Sequence, residues 1–217
     1  MRRSGVALEG EGGASGQASG PRQAGFRRGL TMRVLFVCSG NLCRSPLGAQ
    51  VLAARLGPDA TAFVVESAGT IADDGAAMDG AAAAQSVRLG GTPSEHRSRY
   101  LTAAIVDDAD LVLTAERSHR AAVVSLAPRA TKRTFTVREF ARVLTGLEPD
   151  DLADISTPQA LVAWVARLRG TVPPPASPAD DDIDDPYRRS EATHERVADE
   201  LDASVAVIAN ALRASLR

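Results

Sequence analysis

Strand-like and helix-like patterns alternate along this sequence, and that alternation predicts an α/β domain: a parallel sheet covered by helices on both faces. Three observations carry the prediction. A short, continuously apolar run at residues 33–37 is followed at once by a glycine-containing turn and a helical pattern. Further strand-like runs recur between helical segments as far as residue 136. The last segment, residues 191–212, is a long amphipathic pattern suited to lying along a sheet.

Taken in order, Arg-Val-Leu-Phe-Val at 33–37 is β-branched, aromatic and apolar throughout, as a strand buried on both faces requires. Pro46 then stands where the first turn of a helix tolerates a missing N–H. Leu47, Val51, Leu52 and Leu56 mark one helical face before Gly57-Pro58 stops it. Residues 62–66 read as a second strand, and residues 78–89 as a helix ended by Gly90-Gly91. A short helix from Thr102 leads to a third strand at 111–114, a helix at 117–126 and a fourth strand at 133–136. Helices are expected at 137–144 and 158–168, within a less regular interval at about 137–179 that ends in three prolines and an acidic run. Val197, Leu201, Val205, Ile208 and Leu212 define the buried face of the last helix.

Composition narrows the function classes. The chain has 217 residues, enough for one domain with attachments, and a formal net charge of −2 that calls for neither nucleic acid nor an anionic membrane surface. No stretch approaches the roughly 20 apolar residues of a membrane span, and the N-terminus lacks the apolar run of a secretory signal, so a cytoplasmic location is expected. Residues 1–31 are rich in glycine, serine and arginine without hydrophobic period, the composition of a disordered tail. Met32 directly precedes the first strand, so that tail would be dispensable or even absent from the native protein. The domain proper is expected over 32–217. Both cysteines, Cys38 and Cys43, share one short loop, which suggests chemistry rather than a disulfide framework.

That loop, Cys38-Ser39-Gly40-Asn41-Leu42-Cys43-Arg44-Ser45-Pro46, places five residues between a cysteine and an arginine, directly after a strand and directly before a helix. Wrapped with its amides inward, such a loop forms a nest for a tetrahedral dianion, to which the helix dipole adds positive potential. Gly40 and Asn41 are the residues able to take the positive φ that wrapping demands. Arg44 would grip two phosphate oxygens with its planar fork. Cys38, in the same field, would be held as a thiolate nucleophile, and Ser45 would donate to its sulfur as it leaves. Expelling an alkoxide or phenoxide also needs a proton donor. Asp184-Asp185-Pro186-Tyr187 supplies one, with Asp185 fixed by the following proline. Asp180, Asp181 and Asp182 read as a solvated acidic loop.

These two motifs, in this order, resemble the low-molecular-weight protein tyrosine phosphatase family over roughly 33–136 and again over 184–212. Glu66-Ser67-Ala68-Gly69-Thr70, His96-Arg97-Ser98-Arg99 and Asp110-Leu111-Val112-Leu113 are similar as well. The resemblance implies a four-stranded parallel sheet, a flavodoxin-like three-layer sandwich, and metal-free, cofactor-free hydrolysis of a phosphorylated protein or small phosphorylated substrate. Cys38 would be the nucleophile, Arg44 the phosphate ligand and Asp185 the general acid. Ser39, Gly40, Asn41, Leu42, Cys43, Ser45 and Tyr187 would surround the substrate, with Asn41, Ser67 and His96 holding the loop in shape.

Several positions depart from that pattern. The loop at 71–77 has no aromatic to stack on a phosphotyrosine ring, Arg188 follows Tyr187 where many relatives have a second tyrosine, and Glu116 replaces a common aspartate. Leu42, where phosphoarginine-specific relatives carry threonine, points away from that substrate. The interval at 137–179, with Trp164, has no counterpart in compact members and is expected to be an insertion, a lid or a partner surface. Trp164 itself reads as packing. Cys43 is expected to form a reversible disulfide with Cys38. Two other functions fit the same loop: arsenate reduction, with Cys43 or an external thiol resolving the adduct, and recognition of phosphorylated partners without turnover. His96, His119 and His194 lack ligand spacing to the cysteines, so no zinc site is expected.

Overall fold

The structure, a computed structural model, describes Met1, residues 31–146 and residues 155–216. The expected tail, apart from Met1 and Thr31, lies outside the described residues, as do residues 147–154 of the expected insertion.

Four strands form one sheet: β1 (Met32–Cys38), β2 (Phe63–Gly69), β3 (Leu111–Thr114) and β4 (Thr134–Thr136). All pairings are parallel, in the order β2-β1-β3-β4. The chain leaves β1 toward β2 on one side and returns as β3 on the other. A crevice therefore opens beyond the carboxyl ends of β1 and β3, the switch point at which open α/β sheets bind ligands. The four-stranded, flavodoxin-like sandwich inferred from the sequence is the observed architecture.

Side chains alternate across the sheet. Met32, Val34, Phe36, Leu111 and Leu113 face a large core shared with α1 (Arg44–Leu56), α5 (Val137–Thr145), α6 (Pro158–Leu168) and α7 (Glu191–Ala214). Leu35, Val37 and Val112 face the opposite layer, where α3 (Ala103–Asp108) and α4 (Arg117–Leu126) contribute Val106 and Val123. Val197, Leu201, Val205, Ile208 and Leu212 are all buried along α7.

Boundaries shift where capping chemistry decides them. The helix expected to begin at Met78 begins at Gly80 as α2 (Gly80–Arg88), because Asp79 caps it by accepting from Ala81 and Ala82. β2 starts one residue later than expected, after a 3-10 turn over Gly57–Ala62, and runs on to Gly69. Thr102, Thr136, Thr157 and Ser190 cap α3, α5, α6 and α7.

Two expectations need correction. Asp180, Asp181 and Asp182 are not merely solvated: Asp180 caps the amide of Ser177, Asp181 pairs with Arg142, and Asp182 receives both the Arg117 amide at 2.7 Å and its guanidinium. Asp182 thereby caps α4, whose own N-cap residue Glu116 makes no capping bond. The other concerns residues 137–179. Phe140, Val143, Leu161 and Val165 are fully buried in the large core, and Trp164 packs against it beneath the Arg167 guanidinium. None of the described residues of that interval lines the cleft beside the loop at 38–45, so they form no lid over it. Among the described residues no helix is long and apolar enough to cross a membrane.

Candidate active site

The loop between β1 and α1 is shaped from outside. The carbonyls of Cys38 and Ser39 accept from the amides of Thr70 and Ile71 at 2.9 and 3.0 Å. That of Asn41 accepts from His96 Nε2 at 2.8 Å, and that of Leu42 from the Asp79 amide at 3.0 Å. No peptide among the described residues is cis, so each carbonyl turned outward turns the next amide inward. The amides of Ser39, Gly40, Leu42 and Cys43 consequently face the cleft. They meet the N-terminus of α1, where Cys43 at the N-cap makes no side-chain capping bond and leaves the first-turn amides free for an anion.

Only one of the two expected positive-φ residues has that conformation. Asn41 has φ 53°, whereas Gly40 is not in the left-handed region. The buried Asn41 side chain is fully used: Nδ2 donates to Ser45 Oγ at 2.9 Å and Ser67 Oγ at 2.8 Å, and Oδ1 accepts from the Arg99 amide at 2.9 Å. Those bonds hold a conformation asparagine tolerates better than most residues. Gly69 is the second backbone requirement. A Cβ there would lie 2.4 Å from the Ser39 carbonyl oxygen and 2.8 Å from the Asn41 amide nitrogen, so only glycine lets β2 approach the loop this closely.

Ser45 Oγ lies 3.0 Å from Cys38 Sγ, and accepting from Asn41 leaves its single proton for the sulfur or the Ala68 carbonyl. Both cysteines are free thiols. Burial, with Asp79, Cys38 and Asp185 nearby, drives the Cys43 thiol far above its ordinary range.

Arg44 is only 2% exposed despite its charge. Its Nη1 donates to Glu116 and, at 2.8 Å, to the Ile183 carbonyl, while Nη2 lies 3.0 Å from Asp185 Oδ2. Nε is buried without a partner among the described residues. Burial alone would raise the Glu116 carboxyl, but the Arg44 guanidinium and the Ser118 hydroxyl overcome it and hold that carboxyl below its ordinary range.

Ser39, Gly40, Leu42, Cys43, Arg44, Asp185 and Tyr187 line one cleft of about 290 Å³ with Cys38 and Ile71. Asn41 and Ser45 do not line it; their side chains are buried behind the loop, with Ser67 and His96 outside them. Burial lowers the pKa of His96, an effect the Asn41 carbonyl opposes and the nearby Arg97 and Arg99 reinforce.

The sequence assigned no site role to Gly69, His119 or the Ile183 carbonyl. His119 is buried on α4, with Nε2 2.8 Å from Ser39 Oγ. Burial lowers its pKa, Glu116 opposing and Arg44 reinforcing the shift. The available signal was strand order: β3 lies beside β1, so Glu116 and His119, on the first turn after β3, fall next to the loop.

Strand, inward-facing loop, cysteine and buried arginine define an α/β protein of the cysteine-dependent phosphate-loop class. The model of the family described as low molecular weight phosphotyrosine protein phosphatase matches residues 33–159. The chain belongs to that family. A protein-arginine-phosphatase of Geobacillus stearothermophilus is 34% identical over 125 residues, which is 58% of this chain and 79% of that one. The probable low molecular weight protein-tyrosine-phosphatase EpsP of Ralstonia nicotianae is 33% identical over 145 residues, or 63% and 95% of the two chains. The crystal structure of the Erwinia amylovora tyrosine phosphatase AmsI superposes with a TM-score of 0.61 at 25% identity, covering 86% of this chain and 97% of that one.

Proposed function

We propose that this protein is a phosphatase that hydrolyses phosphate monoesters, with phosphotyrosine in proteins as substrate, by forming a phosphocysteine on Cys38. The thiolate attacks phosphorus, the bond from phosphorus to the leaving oxygen breaks, and Asp185 gives that oxygen its proton. Water then attacks the phosphocysteine and gives a proton back to Asp185. The sulfur–phosphorus bond breaks, releasing inorganic phosphate and the thiolate, toward which Ser45 donates. Arg44 and the loop amides hold the equatorial oxygens throughout, an electrostatic contribution that grows as charge spreads onto them. A cytoplasmic location belongs to the same reading.

The observation that carries it is the convergence of Cys38, Arg44 and Asp185 on one cleft, with the buried Arg44 Nε unpartnered. An incoming phosphate supplies the acceptor that this nitrogen lacks. It also displaces Asp185 Oδ2 from Nη2, which frees the carboxyl for the leaving oxygen. Cys43 weighs against arsenate reduction with an internal resolving thiol, since its pKa is pushed far up and a thiol is a poor attacking group in that state.

The test is hydrolysis of p-nitrophenyl phosphate and of phosphotyrosine, phosphoserine and phosphoarginine peptides, with arsenate-dependent thiol oxidation as a control. Cys38→Ser should abolish turnover. Asp185→Asn should lower kcat by about 10² to 10⁴-fold on phosphotyrosine and less on p-nitrophenyl phosphate, whose leaving group needs less protonation. Faster turnover of phosphoarginine than of phosphotyrosine would reassign the substrate. Unchanged turnover in Cys38→Ser would refute the covalent scheme.

A further inference from the structure

Several of the large hydrophobic side chains that this protein leaves in solvent lie close to one another. Among the described residues, Met1, Val87 and Leu216 are exposed elsewhere, whereas Ile71, Tyr100, Leu126 and Tyr187, 74%, 52%, 43% and 42% exposed, border two depressions. Ile71 and Tyr187 line the catalytic cleft, whereas Tyr100 and Leu126 line a second groove of about 350 Å³ completed by Thr70, Leu101, Ala122 and Ser125. Contiguous exposed apolar surface of this kind marks a binding site more often than chance.

The two depressions share a wall. Thr70 belongs to the groove and its neighbour Ile71 to the cleft, and their amides are the ones bonded to the carbonyls of Cys38 and Ser39. Helix α4 joins them a second time. His119 contacts the catalytic loop through Ser39, and Ala122 and Leu126 follow at the i+3 and i+7 positions of the same face, on the groove. All of the residues lining the groove are uncharged, in a chain of which 24% is Asp, Glu, Lys or Arg. Such a lining favours an uncharged occupant, and Leu101, Ala122 and Leu126 offer it apolar contact.

Resting on the phosphatase reading, we propose that the groove receives an apolar side chain flanking the phosphorylated residue of an extended polypeptide substrate. A small phosphate ester fills the cleft of about 290 Å³ and leaves the groove empty, whereas a polypeptide spans both. Specificity for protein substrates then arises beside the phosphate site, from Tyr100 and Leu126, and compensates for the missing aromatic in the 71–77 loop.

The probes are synthetic phosphotyrosine peptides carrying leucine or phenylalanine on the N-terminal side, on the C-terminal side or on neither side, with serine elsewhere. Binding is read by fluorescence anisotropy with inert Cys38→Ser protein, and kcat/KM with wild type. One apolar flank should tighten binding about tenfold, the worth of one buried leucine-sized side chain. The double variant Tyr100→Ser, Leu126→Ser should erase that preference, while its kcat/KM on p-nitrophenyl phosphate stays within about twofold of wild type and certifies the fold. Equal binding of all peptides overturns the proposal, as does a preference that survives the double variant. It is also overturned if the substitutions only abolish self-association seen by sedimentation, since the groove would then hold a second copy. Flank-dependent binding without any turnover leaves the groove standing and sinks the phosphatase reading. Turnover without flank dependence does the reverse.

Discussion

Arg44 shows how one residue can organise a site. Its guanidinium is buried among acceptors from Glu116, at the N-cap of α4, and from the 183–185 segment, with one nitrogen left over. A lysine could keep the charge but not the fork, so Arg44→Lys should lower kcat/KM for p-nitrophenyl phosphate on the order of a hundredfold or more with little change in melting temperature. A lysine variant of near wild-type activity would show that the planar geometry is not needed. Gly69 makes a different demand, one of space. Gly69→Ala places a methyl group against the Ser39 carbonyl and must push the loop out of shape. Protection of Cys38 from alkylation by inorganic phosphate should then be largely lost, and full protection would contradict the close approach.

At the scale of elements, helix caps fix where segments begin and so where side chains point. The turn from β4 into α5 is held by a capping box in which Thr136 accepts from the Glu139 amide and Glu139 returns the bond. Thr136→Ala should cost about 1 kcal/mol of unfolding free energy by urea denaturation and leave catalysis untouched. Phe140, one turn further on, is fully buried and packs edge-on against Phe135 at 4.9 Å between centroids. Phe140→Ala should cost about 3–5 kcal/mol, because it opens a cavity where the helix meets the sheet. A cost below 1 kcal/mol would mean that α5 is not part of the core. By contrast, α1 has no side-chain cap at Cys43, which leaves its first-turn amides available at the cleft.

For the whole molecule, the half-buried His96 and the buried His119 link folding to pH. His96 and His119 both have folded-state pKa values below their ordinary 6.5. In that window the unfolded chain binds more protons than the folded one, so acid favours unfolding. Stability from these groups is complete above pH 6.5 and declines as pH falls below it. Urea midpoints at pH 7.5 and 5.0 should therefore differ more in wild type than in His119→Gln, which keeps a polar group near Ser39 but does not titrate. An equal difference in the two proteins would exclude His119 as a contributor.

The sheet, its helices and the loop at 38–45 were legible in the sequence because they rest on local signals: apolar period, a strand running directly into a turn, and a helix opened by proline. The arrangement Cys38, Arg44 and the Asp185-Pro186 step was legible for the same reason, since each piece announces its chemistry within a few residues. What local signals missed depends on distance along the chain. Asp182 reads as a solvated acid until α4 is seen to present an uncapped amide 65 residues away. That Phe140, Val143, Leu161 and Val165 belong to the large core is likewise invisible until α5 and α6 are placed against the sheet. By itself the sequence determined the fold class and the family, because those follow from contiguous patterns. Only the tertiary structure decided that Glu116 and the Ile183 carbonyl grip Arg44, that His119 reaches Ser39, and that an uncharged groove lies beside the cleft. These are contacts between strands and helices brought side by side by the crossovers, and no short window of sequence contains both partners.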